Sequence, residues 1–162
     1  MDWDFIRIAL ALTAAALLLS AGIEDARTRE IANRKSVALV LLAPLWWWAN
    51  GAALWPDAAI QLALALAAFG VFAFAFHLGM MGGGDVKLIA ALTLWLPLPL
   101  FAGMLVTMSL AGGAVTLVML AERLWLRRRQ GGELPAIEVP YGVAIAIAGM
   151  LALREPILNQ FG

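Results

Sequence analysis

No cysteine occurs in the 162 residues, and there is only one histidine and one tyrosine. Without thiols the chain has no disulfide, no thiolate nucleophile and no cysteine-ligated zinc. A single histidine, His77, argues against a histidine-built metal site, while carboxylate ligation of magnesium stays open at this level. Charge is scarce as well: Asp, Glu, Lys and Arg make up 14% of the chain against 64% hydrophobic residues, and the mean hydropathy is +0.90. Soluble domains run near about 45–50% apolar and about 25% charged. This is the composition of an integral membrane protein. Its apolar runs are too long for barrel strands, so the predicted fold class is all-α. The net charge of zero excludes nothing; the placement of the charges carries the information.

Six transmembrane helices in one membrane-embedded domain, residues 1–162, are predicted. Trp3–Ile23 reads as a retained first span, because Asp2 and Asp4 do not make the basic start of a signal peptide. Glu24–Lys35 is a polar loop carrying Arg27, Arg29, Arg34 and Lys35. The second span, Val37–Trp55, ends in Trp46, Trp47, Trp48 and Trp55, a cluster suited to anchoring at headgroup level. The third runs from Ala58 to Leu78. Leu88–Ala121 holds no charge, and as one helix it would reach about 50 Å, too long for a single crossing. Leu96-Pro97-Leu98-Pro99 breaks it, since proline cannot continue a helix. A short fourth span therefore covers Asp85–Trp95 and a fifth Leu100–Glu122. A polar loop, Arg123–Pro140, with Arg123, Arg127, Arg128 and Arg129, leads into a sixth span, Tyr141–Leu153. Lys and Arg stay cytoplasmic. That rule puts the loops near 24–36, 79–87 and 122–140 on the cytoplasmic side and both termini on the other. Asp25 and Asp85 then face the same compartment.

The stretch His77-Leu78-Gly79-Met80-Met81-Gly82-Gly83-Gly84-Asp85-Val86-Lys87 stands out between two apolar runs. An ionisable group there is expensive and suggests a functional site. Its glycines let a backbone or a neighbouring helix come close. Two carboxylates in a partly dry site cannot both ionise easily, so they share one proton. The ionised partner can take a proton from water while the protonated one donates to a carbonyl, which is peptide hydrolysis without metal or covalent intermediate. Ser20, Ser36 and Ser109 have no histidine nearby in sequence to activate them. Taken singly, each acid reads equally well as a loop carboxylate paired with Arg27 or Lys87. A proton-coupled transporter or channel would use intramembrane acids and broken helices too, and a structural subunit would need neither acid.

Gly82-Gly83-Gly84-Asp85 matches the G-x-G-D signature of intramembrane aspartyl peptidases, and Asp85-Val86-Lys87-Leu88 resembles the type IV prepilin peptidases. Asp25-x-Arg27-x-Arg29-x-Ile31-x-Asn33 is similar to that family's first acid motif, and Pro140-Tyr141-Gly142 to its late Pro-aromatic-Gly element. The length resembles the small CpaA/TadV-type branch, which matures Flp pilins for tight-adherence pili. The resemblance implies Asp25 and Asp85 as the catalytic pair. Gly82, Gly83, Gly84, Lys87 and Asn33 are the residues expected to shape the site beside them; Lys87 reads equally well as stabilising the charged form of Asp85 or as snorkelling to the interface, and Asn33 as bonding the Asp25 loop or as a turn or helix cap. The resemblance also implies an endopeptidase of the bacterial inner membrane that cuts basic leaders from prepilin-like membrane precursors at the cytoplasmic face, with no cofactor, no metal and no nucleic-acid partner. Two departures are visible. Ala32 stands where the family has proline, and the cysteine-rich insert and methyltransferase signature of the larger enzymes are missing.

Other features read as structural. Gly79-x-x-x-Gly83 and Gly112-Gly113 fit helix packing. His77 reads as a packed helix residue, and Glu24, about 100° round the helix from Asp25, as a solvated neighbour.

Overall fold

A computed structural model of the chain describes residues 3–130 and 140–158. Asp2, residues 131–139 of the expected polar loop, and the side chains of Arg127, Arg128 and Arg129 lie outside that description. Six α-helices follow in order: α1 Trp3–Thr28, α2 Asn33–Ala49, α3 Ala59–His77, α4 Gly83–Thr93, α5 Leu98–Gln130 and α6 Tyr141–Leu158. No strand occurs among the described residues, so the all-α expectation holds. Trp3–Thr28, Leu54–His77 and Leu98–Leu126 are each long and apolar enough to cross a membrane, and Tyr141–Arg154 is apolar but shorter.

The helices start and stop for local reasons. α3 ends where Gly79 takes φ +71°, and its amide returns to Phe76 O at 2.9 Å. That is a left-handed C-terminal cap, a conformation glycine adopts without steric cost. Gly79 and Gly83 are thus a cap and a helix start, not a shared packing face. α5 begins at Leu98, inside the predicted Leu-Pro-Leu-Pro break. Two loops are shorter than expected. α1 continues to Thr28, so Glu24 and Asp25 are helical, and α5 continues through Arg123 to Gln130. Charged side chains in such last turns can reach out from a helix as well as from a loop.

The short helix α4 is the core. Val86, Leu88, Ile89, Ala91, Leu92 and Thr93 are all buried. Eleven residues span only about 17 Å, so its C-terminal carbonyls end deep among apolar side chains. Such groups need partners, because lipid supplies none. Side chains from α2 and α3 provide them. Trp47 Nε1 donates to Leu94 O at 2.7 Å and Trp46 Nε1 to Trp95 O at 3.2 Å, while the Gln61 amide donates to the carbonyls of Thr93 and Leu96. Trp95 Nε1 reciprocates to Leu39 O at 3.0 Å and stacks on Trp46. Trp46 is therefore a core residue, as Trp95 is, and not the interfacial anchor expected; Trp48 and Trp55 remain exposed, and Trp48 packs edge-on against Trp3. Replacing Gln61 with Leu leaves two buried carbonyls unpaired. Gln61→Leu is expected to lower stability by about 1–3 kcal/mol, read as an earlier thermal transition in tryptophan fluorescence of the detergent-solubilised protein.

α1 and α6 run antiparallel and nearly touch. A methyl group on Gly22 would come within 2.9 Å of Ala146 Cβ. Lower down, the space beside Gly149 is filled by the Leu18 and Leu92 side chains, each 3.0 Å from where a Cβ would sit. Helices α1, α4 and α6 meet at that point. By contrast, Gly112 packs on the Tyr141 ring while Gly113 faces open space, so only the first of that pair serves packing.

Candidate active site

Helix α1 stops, and α4 and α6 start, at one end of the bundle. Asp25 lies in the last turns of α1 and Asp85 in the first turn of α4, and both are buried, at 6% and 7% exposure. Together with Arg29, Glu30, Ile31, Gly82, Gly83 and Gly84 they line one cavity of about 250 Å³. Two acids far apart in the chain thus face one space, close enough that their charges would repel.

Each acid is held differently. Asp85 Oδ2 accepts the Gly82 N–H at 3.3 Å, a helix-capping contact that ties the carboxylate to its own loop. A Cβ on Gly82 would stand 3.0 Å from that oxygen, and one on Gly84 would stand 3.0 Å from Ile31 Cβ. Gly83 packs on the Phe76 ring at an ordinary 3.4 Å. Asp25 is gripped from the other side by α6. Gly142, in the first turn of α6, lies against it, at the end of the helix where the dipole favours a carboxylate. A Cβ on Gly142 would fall 2.9 Å from both Cβ and Cγ of Asp25 and 2.7 Å from Ile31 Cδ1. The Asp25 Oδ2 atom is buried with no hydrogen-bond partner among the described residues. Such an atom costs stability, and its retention in a native fold calls for a reason such as chemistry.

The segment between α1 and α2 closes the cavity. Arg29 takes φ +59°, which turns the chain sharply after α1 and folds Ile31 back between Gly84 and Gly142. Glu24 braces that turn and is not simply solvated. Its Oε2 meets Lys35 Nζ at 2.7 Å and accepts the Ala32 N–H at 3.0 Å, and the buried Lys35 also donates to Ser20 O at 2.7 Å.

The residues expected at the site divide into two groups. Asp25, Asp85, Gly82, Gly83 and Gly84 share the cavity. Lys87 and Asn33 do not line it; Lys87 Nζ donates to Asn33 Oδ1 at 2.8 Å at the mouth of a separate groove. His77, expected to pack within its helix, is instead exposed in the last turn of α3 and does not line the cavity. Arg29, Glu30 and Ile31 were missed as lining residues. Their only sequence signal was their place inside the Asp25 motif. Among the described residues no three His, Asp or Glu side chains gather as a metal site would require.

Neither a curated protein nor a solved structure matches the chain. The sequence profile of the type IV leader peptidase family matches residues 12–118, a stretch that begins in α1, contains both aspartates and ends in α5. The chain therefore belongs to the type IV leader peptidase family.

Proposed function

We propose that this protein is a membrane aspartyl endopeptidase that removes short basic leaders from Flp-type prepilin-like precursors, with Asp25 and Asp85 activating water between them. The observation that carries the reading is the pairing itself: two buried carboxyl groups from α1 and α4 on one small cavity, in a chain of the leader peptidase family. A shared proton lets one carboxylate accept from water while its partner polarises the scissile carbonyl. The close packing of Gly142 keeps Asp25 oriented, and the Gly82 amide does the same for Asp85.

Six crossings of the bacterial inner membrane accommodate the six helices, with α4 crossing only in company of its neighbours. Arg27, Arg29, Arg34 and Lys87 cluster at the site end, whereas the connections around 50–58 and 94–97 contain no Lys or Arg. That asymmetry favours a cytoplasmic site. Depth agrees, since α1 rises about 33 Å between Trp3 and Asp25. That is close to the thickness of about 30 Å for the hydrocarbon core. With Trp3 and Trp48 at one interface, the acids sit at the other.

The test is co-expression with a prepilin-like precursor carrying a basic leader. The expected result is conversion to the shortened form, with the new N-terminus at the leader junction. A transporter or a structural subunit leaves the precursor at full length, and that outcome would overturn the reading.

A further inference from the structure

A second recess among the described residues, about twice the volume of the one holding the acids, lies between α2 and α3. Helices α2 and α3 both pack on α4 but leave a gap between themselves, and the resulting groove of about 530 Å³ runs from Asn33 and Lys87 at the site end down to Leu41, Leu62 and Leu94. Its floor is made of small residues: Ser36, Ala65, Ala90 and Ala91. Its walls are larger and apolar, with Val40 and Leu41 on one side and Leu66 and Phe69 on the other, all exposed.

We infer that this groove seats the apolar helix of the precursor, the segment that begins just beyond the scissile bond. The inference rests on the leader-peptidase reading above and names where that substrate lies. Three features select a helix as occupant. Small residues between larger ones let a helix backbone come close, which is how helices associate in lipid. Acyl chains conform to any surface and need no such floor. The dimensions also suit a helix. Lys87 to Leu94 covers about 10 Å of α4, so the groove's cross-section is roughly 50 Å², a little over half that of a helix about 10 Å across. Lastly, the groove opens at the level of the acids, on the other face of α4. Lys87 is two residues, about 200° of helix rotation, beyond Asp85, Asn33 is two beyond the cavity-lining Ile31, and their hydrogen bond forms the rim. A helix rising in the groove brings its first residues to the height of the Asp25–Asp85 cavity, which an extended leader junction reaches by crossing the start of α4.

The absence of native cysteine makes crosslinking clean. Val40→Cys in the groove and Leu117→Cys on the exposed face of α5 would each be placed in an Asp85→Asn background that holds the precursor uncut. The precursor would carry single cysteines along its apolar helix. Val40→Cys should crosslink at positions recurring every third or fourth residue, and Leu117→Cys should not. No crosslink from Val40→Cys, as with a lipid in the groove, or equal crosslinking from both sites, would overturn the proposal. A second variant, Ala90→Trp, fills the groove in the otherwise native enzyme. It should raise KM for the membrane precursor by about tenfold and leave kcat unchanged. Cleavage of a short soluble peptide bearing the same leader should be unaffected. An unchanged KM, or equal slowing of both substrates, counts against the groove. If the native enzyme cuts the precursor and the groove variants are silent, this proposal alone fails; if it never cuts, the leader-peptidase reading fails and takes this one with it.

Discussion

On the proposed mechanism, Asp25→Asn and Asp85→Asn should each reduce leader removal by about a thousandfold or more, as expected for loss of a positioned acid–base group, without unfolding the protein. An amide cannot take a proton from water, nor pass one to a carbonyl, so either single change breaks the cycle. The double variant should be little worse than either single one, because the two groups act as a unit. Folding should respond in the opposite sense. Asp25 Oδ2 has no hydrogen-bond partner among the described residues, and the two carboxylates repel when both are charged. Removing one charge relieves that repulsion, as often happens when a strained functional site is neutralised. The thermal transition of each variant in detergent should be at or above that of the native chain. Normal cleavage by either variant would show that water activation does not depend on the pair.

Gly142→Ala has the second largest expected effect, although the residue carries no side chain. The added methyl group would overlap Asp25 Cβ and Cγ at 2.9 Å and Ile31 Cδ1 at 2.7 Å. Ile31 can swing aside, but Asp25 is fixed to the backbone of α1, which is itself pressed against α6 through Gly22 and Ala146. The carboxyl group must tilt away from the cavity. Misplacement by about 1 Å costs about a hundredfold in rate, so kcat should fall by that order with membrane insertion retained. Gly83→Ala is the control, since its methyl meets only the Phe76 ring at 3.4 Å. It should cleave at close to the native rate. Equal loss from both changes would mean that the glycines serve general packing and not the placement of Asp25.

Much of this arrangement could be read from the chain alone, because it depends on local chemistry. Long apolar runs declare helices, the Pro97 and Pro99 pair declares a break, and the glycine run before Asp85 declares a close approach. The two acids could be paired in advance since charge placement puts both on one side. What could not be read was tertiary. Nothing local says that Glu24 points at Lys35, that Trp46 turns inward while Trp48 turns out, or that Gln61 supplies the amide that α4 requires. Loop ends were misjudged for a related reason. Glu24–Thr28 looked too polar for a helix, yet α1 carries on because Asp25 is held by α6, a segment more than a hundred residues away. Lys87 and Asn33 were grouped with the acids by proximity in sequence, whereas their side chains point into the neighbouring groove.

Leu18, Leu92 and Gly149 meet where α1, α4 and α6 converge. Each stands seven residues, or two turns, from a site residue on its own helix: Asp25, Asp85 and Gly142. Seven residues return a helix to almost the same face, so each helix carries a functional group directly above its share of the knot. The three behave like the legs of a tripod bound near the middle, where a small shift at the binding is carried to all three tips together. On this geometry, a substitution in the buried layer about 10 Å beneath the acids would be felt at their spacing without touching either of them.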